Sequence, residues 1–155
     1  MNGPATPAVL HADDATFIRA PESLVYRRLT DLASWPSWWP GCDVAALPGP
    51  AGHQRFAVRL QAARGRRLAC TLRPHGWRHD LGVVLSLAGD LDGRGEFWLD
   101  PRGGGTIVHH VLSVTSPLPR PHRVLESYRE AVRSGMWGLK DLLQVEVRTS
   151  VGLVP

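Results

Sequence analysis

Cysteine and long apolar runs are scarce in this chain of 155 residues. Its two cysteines, Cys42 and Cys70, are too few for the disulfide framework of a small secreted scaffold, so we expect two small buried thiols. No stretch approaches the ~20 consecutive apolar residues of a membrane-spanning helix. The first residues lack the charged and apolar regions of a signal peptide. We therefore expect a cytoplasmic protein without stable membrane insertion.

Lysine is also scarce, because Lys140 is the only one and arginine supplies nearly all of the positive charge. The arginines are scattered along the chain. Their one dense run, ARGRR at residues 63–67, lies between two apolar runs, as expected for a hairpin turn. Proteins that bind nucleic acid gather positive charge on one face beside a reading element, and no such motif is present. We therefore expect no nucleic-acid partner.

One pair of histidines has the spacing of metal ligands. His75 and His79 are four residues apart, but Pro74 and Gly76 disfavour a helix at this point, and no third ligand is evident. The sequence thus predicts neither a bound metal nor a cofactor.

The apolar pattern predicts one domain over residues 9–147, with flexible tails at 1–8 and 148–155. A first strand in HADDATFIRA ends at Ala20. Pro21 and Glu22 then suit the first turn of a helix, where a missing N–H costs nothing and an acidic side chain faces the positive end of the dipole. Apolar residues follow at helical spacing, namely Leu24, Val25, Leu29 and Leu32.

From residue 42 to residue 115 the pattern changes to the alternation of half-buried strands. The breaks ARG, PHGWR, DLDG and PRGGG are typical of turns, so the segment predicts an antiparallel meander of about six strands with one buried face. The expected inward residues are Phe56, Val58, Leu60, Leu68, Cys70, Leu72, Leu81, Val83, Leu85, Leu87, Phe97, Leu99, Val108, His110, Leu112 and Val114. By the same alternation, His109 and Trp98 should face outward.

Prolines in SPLPRPH end the sheet, and Pro121 suits the start of a long helix. An apolar stripe predicts that this helix runs to about Val147, with Leu125, Tyr128, Val132, Leu139, Leu142 and Leu143 on one face. The inner face of the sheet is the only large apolar surface left to cover it. We therefore predict an α+β fold.

Three of the six tryptophans lie in the short stretch SWPSWWPG, residues 34–41. Pro36 and Pro40 allow at most a short second helix here. Two interpretations of Trp35, Trp38 and Trp39 stay open. The rings anchor this segment to the sheet, or they form a rigid stacking wall for a flat apolar ligand.

The chain resembles the START-like, or Bet v 1-like, superfamily (SRPBCC), and within it the bacterial polyketide cyclase/dehydrase and lipid-transport proteins. The resemblance lies in IRAPESLVYRRLTDLASWPSWWPG, residues 18–41, with its Ala-Pro helix start and Trp-Pro segment. LDPRGGGTIVHHVL resembles the last hairpin of that family, and SGMWGLKDLL its final helix. The resemblance implies a helix-grip fold, in which a curved antiparallel sheet wraps around the long C-terminal helix and two short helices follow the first strand.

The resemblance also implies an apolar cavity between sheet and helix, which would bind a small hydrophobic molecule. The residues expected to line it are Trp35, Trp38, Trp39, Phe56, Val58, Leu72, Leu85, Phe97, His110, Leu112, Tyr128, Val132, Gly135 and Met136. Gly135 interrupts the helical stripe at a cost of about 1 kcal/mol relative to alanine. Either it allows close packing of the helix or it leaves room for ligand, and the resemblance favours the second. Met136 would supply an adaptable wall.

His110 and Tyr128 are the candidate catalytic residues. An inward imidazole can hydrogen-bond a ligand or move a proton, and a buried tyrosine hydroxyl needs a partner. A histidine satisfied by backbone or water is the alternative. No spacing rule establishes that the two side chains meet.

Two main hypotheses for function follow. The first is a carrier or binding module without chemistry, favoured by the mainly apolar inward set. The second is an enzyme similar to polyketide cyclases, aromatases and dehydrases, with His110 and Tyr128 as an acid/base pair. An interaction module similar to chaperone activators is a more distant third. The sequence does not indicate ligand identity, pathway or oligomeric state.

Overall fold

The computed structural model describes residues 6–152, so the outer parts of both expected tails lie outside the described residues. The strands and helices follow in chain order: β1 (Leu10–Ile18), α1 (Glu22–Thr30), a 3₁₀ helix (Leu32–Ser37), β2 (Cys42–Leu47), β3 (Arg55–Gln61), a short 3₁₀ turn (Ala63–Gly65), β4 (Arg67–Arg78), β5 (Gly82–Gly89), β6 (Asp92–Arg102), β7 (Gly105–Thr115) and α2 (Pro121–Gly152). The expected element order is confirmed, including the short second helix that contains Pro36.

All seven strands form one antiparallel sheet in the order β1-β7-β6-β5-β4-β3-β2. The last six strands are sequential neighbours, as expected of a meander joined by short turns. The first strand returns to the far side and pairs with the last, with Asp14 opposite His110 and Thr16 opposite Val108. Strands β1 and β2 are therefore the two edges of the sheet.

One expected turn is wrong. PHGWR is not a break, because β4 continues through it to Arg78 with a bulge between His75 and Arg78. The turn follows at residues 79–81, so Leu81 is 52% exposed rather than inward. Gly76 lies within the bulge, and Pro74 lies beyond Leu72, the last residue of β4 that pairs with β3, so its missing N–H can face the side of the strand that has no partner there.

The curved sheet wraps around the long helix α2, so the predicted helix-grip architecture is confirmed. Its buried face consists of Val124, Leu125, Tyr128, Ala131, Val132, Met136, Leu139 and Leu143. The helix continues past Val147 to Gly152, the last described residue. An ion pair between Arg28 of α1 and Glu146 holds its last turns against the first helix. No helix within residues 6–152 is both long enough and apolar enough to cross a membrane.

The Trp-rich segment packs beneath α2 at two glycines. A Cβ at Gly135 would lie 2.4 Å from Cδ2 of Trp39, and a Cβ at Gly138 would lie 1.9 Å from the carbonyl oxygen of Trp38. Both distances are far shorter than any real contact, so only glycine fits at either position. The expectation that Gly135 leaves room for ligand is therefore wrong, because the indole of Trp39 occupies that room.

Candidate functional site

The space between sheet and helix is almost completely filled. The internal void there has a volume of about 10 Å³ and is lined by Trp35, Trp39, Val58, Leu60, Leu68, Cys70, Leu72 and Tyr128. That volume is close to the minimum for one water molecule. The expected ligand-sized internal cavity is therefore wrong for this structure.

Three indoles account for the filled interior. Trp35, Trp38 and Trp39 are at most 5% exposed, and the ring centroids of Trp35 and Trp39 lie 5.2 Å apart. Trp35 also meets the ring of Phe97 edge to face and donates from Nε1 to the carbonyl oxygen of Leu29 at 3.1 Å. The rings thus pack against one another and against the sheet, which supports the interpretation that they anchor this segment to the sheet.

The residues predicted for the site divide into three groups. Trp35, Trp39, Val58, Leu72 and Tyr128 surround the small void. Trp38, Phe56, Leu85, Phe97, Leu112 and Gly135 belong to the packed core. His110, Val132 and Met136 line a different space, between β1 and α2.

That space, the β1–α2 cleft, is a surface opening of about 320 Å³ between the edge strand and the long helix. Its lining consists of Asp14, Ala15, Thr16, Phe17, Val108, His110, Arg129, Val132, Arg133, Met136, Trp137 and Lys140. Along β1 the inward residues Leu10, Ala12 and Ile18 are buried, whereas Asp14 and Thr16 between them are only half-buried. The cleft is therefore the part of the contact between β1 and α2 where the strand and the helix do not pack against each other.

An ion pair spans the cleft from strand to helix. Nε and Nη2 of Arg129 each donate to one carboxylate oxygen of Asp14 at 2.9 Å, and Nη1 donates to Glu126 at 2.8 Å. The bonded guanidinium lowers the pKa of Asp14 against the opposing effect of burial, and the Asp14 carboxylate in turn raises the pKa of Arg129. Both groups are charged at neutral pH, and the fork geometry fixes Arg129 in place.

His110 and Tyr128 do meet: the His110 ring lines the floor of the cleft, and the Tyr128 ring lies behind it beside the small internal void. Nε2 of His110 lies 2.9 Å from the Tyr128 hydroxyl, and Nδ1 lies 3.1 Å from the carbonyl oxygen of Glu96. A carbonyl oxygen only accepts, so Nδ1 carries the proton and Nε2 accepts from the tyrosine. Both ring nitrogens are thus satisfied, and the ring also stacks on Phe97 at 4.0 Å.

Burial keeps this pair neutral. It lowers the pKa of His110 to about 4, although the Glu96 carbonyl favours the protonated ring, and it raises the pKa of Tyr128. At pH 7 the pair is therefore a neutral imidazole bonded to a neutral phenol. A neutral imidazole can act as a base only if its Nε2 lone pair is free, which here requires the Tyr128 hydroxyl to turn away.

The two cysteines and His75 do not line the cleft. Burial raises the pKa of Cys42 to about 12 and also raises that of Cys70, so neither thiol is an activated nucleophile. His75 is bonded to the hydroxyl of Ser86 at 2.9 Å. Across residues 6–152, no group of three or more His, Cys, Asp or Glu side chains could hold a metal ion.

On the outer face of the sheet, the ring of Trp98 stacks on that of His109 at 3.7 Å. Trp98 is 36% exposed, so the outward direction predicted for both side chains is confirmed.

Sequence reasoning missed the polar half of the cleft. Asp14 and Thr16 stand in phase with Leu10, Ala12 and Ile18, so the alternation itself placed two polar residues on the core-facing side of β1. Polar residues at core-facing positions signal an opening or a buried partner. Arg129, next to Tyr128 on α2, is that partner.

Solved structures share this fold at low sequence identity. TTHA0849 from Thermus thermophilus has a TM-score of 0.73 and 20% identity over 88% of this chain and 99% of that one. The Zhui aromatase/cyclase from a Streptomyces species has a TM-score of 0.65 and 16% identity over 93% and 96%. A START superfamily protein from Mycobacterium smegmatis has a TM-score of 0.70 and 17% identity over 86% and 97%.

No curated protein sequence matches this chain. A family model does match, over residues 10–144, which is most of the chain and runs from the first strand into the last turns of α2. The three resemblances found in the sequence, in the Trp-rich segment, the last hairpin and the final helix, all lie within that range. The chain therefore belongs to the family described as polyketide cyclase/dehydrase and lipid transport.

Proposed function

We propose that this protein is a binding or carrier module that holds a small, largely apolar molecule in the β1–α2 cleft. The proposal rests on the gap between β1 and α2 at Asp14 and Thr16, because α2 and the sheet are closely packed on either side of it. The volume of about 320 Å³ lies at the lower end of the range typical of small-molecule sites.

The floor of the cleft suits an apolar guest. Val108, Val132 and Met136 are at most 4% exposed in the folded chain and line the cleft together with the His110 ring. Methionine adapts its shape to different partners, and a rigid sheet opposite it limits the ordering cost of binding. The family to which the chain belongs, whose description includes lipid transport, supports the same role.

The test compares two tryptophan variants on one strand. Thr16→Trp places a large ring in the cleft, whereas Asp13→Trp places the same ring on the outer face of β1, where Asp13 is exposed. The neutral fluorescent probe N-phenyl-1-naphthylamine should bind the wild type and Asp13→Trp saturably, and bind Thr16→Trp at least about tenfold more weakly. Circular dichroism confirms that each variant is folded.

Binding that survives in Thr16→Trp would place the ligand elsewhere and overturn the cleft as the site. Absence of probe binding to the wild type, together with no small molecule in native mass spectra of the purified protein, would overturn the binding function itself.

A cyclase-like enzyme is the second candidate, and the His110–Tyr128 hydrogen bond favours it. His110 lines the floor of the cleft with Tyr128 bonded behind it, and the pair could pass a proton once a substrate group displaced the hydroxyl from Nε2. Incubation with a poly-β-ketone mimic should then give turnover in the wild type that His110→Ala and Tyr128→Phe both lose. Tight retention of an apolar probe without any turnover would leave only the carrier.

A further inference from the structure

One row of side chains on α2 forms the outer rim of the cleft. Arg133, Trp137 and Lys140 follow one another at intervals of four and three residues, so they lie on one side of the helix. Val132 and Met136, each one residue earlier in the chain, form the floor beneath. The rim of the cleft is thus cationic and aromatic, whereas its floor is apolar.

The positive charge of this rim is not neutralised from within the cleft. Arg129 is already shared between Asp14 and Glu126, and Asp14 is the only carboxylate among the cleft residues. Within residues 6–152, neither Arg133 nor Lys140 has a carboxylate within ion-pair distance. Two cationic side chains therefore lie at the mouth of the cleft, and their N–H groups are not engaged by a carboxylate of the described residues.

Two exposed aromatic rings stand at the same mouth. Phe17 of β1 is 38% exposed and Trp137 of α2 is 59% exposed, on opposite walls of the cleft. Nζ of Lys140 lies 5.2 Å from the centre of the Trp137 ring. A cation held over an aromatic face remains able to contact an anion on its other side.

We propose that the ligand of the β1–α2 cleft is a small amphipathic organic anion, whose apolar body lies over Val132 and Met136 and whose anionic group is bound by Arg133 and Lys140. This inference rests on the proposed binding function and narrows its ligand class. Arg133 offers a planar set of donors that matches a carboxylate, and Lys140 adds a mobile point charge. The bidentate Arg129 pair keeps the Asp14 carboxylate from repelling the guest.

The experiment uses two probes of nearly the same shape that differ in charge. 1-Naphthaleneacetate carries a carboxylate, and 1-naphthaleneacetamide carries a neutral amide in its place. Calorimetric titrations at low ionic strength, where screening is weak, should show that the wild type binds the carboxylate about tenfold more tightly than the amide.

The double variant Arg133→Gln/Lys140→Gln should abolish this preference and leave amide affinity unchanged. The control Arg123→Gln/Arg148→Gln removes two charges from exposed positions of the same helix outside the cleft lining, and should retain the preference. A loss of preference in both double variants would mean that only net charge matters and would overturn the inference.

The outcomes separate this inference from the binding function. Equal affinity of the wild type for both probes would sink the anion preference while the cleft remained a binding site. Failure of the wild type to bind either probe, together with failure to bind N-phenyl-1-naphthylamine, would remove both proposals. If the double variant loses amide binding as well, the two cations shape the cleft rather than select an anion, and the inference fails.

Discussion

The ring of Trp39 lies where a side chain at residue 135 would have to be. A Cβ built on Gly135 would come within 2.9 Å of three atoms of that indole. The glycine in α2 and the tryptophan in the Pro-containing segment are therefore one packing unit, separated by nearly a hundred residues in sequence. Their contact helps to fill the space between the sheet and α2.

We predict that Gly135→Ala destabilises the protein by about 1–3 kcal/mol in urea unfolding, because a methyl group forced into a packed core displaces its neighbours. This range is the net effect, because alanine favours a helix by about 1 kcal/mol over glycine and so offsets part of the cost of the steric clash. Ser134→Ala, one residue away and exposed, should leave stability the same or slightly higher.

The clash can be assigned to Trp39 with a double-mutant cycle. In a Trp39→Ala background the same Gly135→Ala change should cost far less, since the ring that it meets is gone. An unchanged cost in that background would mean that the obstruction comes from another part of the core.

A second prediction concerns the hydroxyl of Tyr128. Tyr128→Phe leaves Nε2 of His110 buried without a donor, which should lower the free energy of unfolding by about 1–3 kcal/mol. The only other tyrosine provides a matched control. Within residues 6–152 the Tyr26 hydroxyl has no hydrogen-bond partner, so Tyr26→Phe should change stability by less than about 0.5 kcal/mol. Equal effects of the two variants would refute a structural role for the His110–Tyr128 bond.

The sequence was sufficient to predict the architecture, because local patterns carry it. Strict alternation placed His110 inward in β7, where it is 4% exposed, and helical spacing placed Tyr128 on the buried face of α2. Pro21 and Pro121 marked the starts of both α-helices. Period and turn chemistry act over a few residues and can be recognised in a single chain.

The site was predicted less well, because it depends on how volumes add up across the whole core. Whether three indoles line a cavity or fill it is decided by distant partners such as Gly135 and Phe97, and no local pattern reports their distance. The opening at β1 was recognisable in principle from Asp14, a charged residue at a core-facing position. Its partner Arg129 could not be identified, since nothing in the spacing relates residue 14 to residue 129.

A third prediction follows from the buried imidazole. The pKa of His110 is lowered to about 4 in the fold, against ~6.5 in an unfolded chain, so between these values the unfolded state binds more protons. Stability should therefore fall as pH drops from about 6.5 to 4, by about 2–3 kcal/mol from this group alone. The measurement is urea unfolding of the wild type and of His110→Gln at several pH values. The difference between their free energies of unfolding should shrink by that amount as the pH falls toward 4. If the free energies of unfolding of the two proteins changed in parallel with pH, the pKa of His110 would be the same in the folded and unfolded states and the prediction would be wrong.

The ion pair across the cleft gives the last prediction. The pKa of Asp14 is lowered by Arg129, so the contribution of the pair is complete above the unfolded carboxyl pKa of ~3.9 and is lost as pH falls through the lowered value. Because both side chains are about one-third exposed, solvent screening limits their coupling to about 0.5–1 kcal/mol in a double-mutant cycle of Asp14→Asn and Arg129→Gln at pH 7. The coupling should weaken in about 1 M salt and vanish in strong acid. A coupling that stayed constant from pH 7 to pH 2 would show that the contact is steric packing of β1 against α2, with charge playing no part.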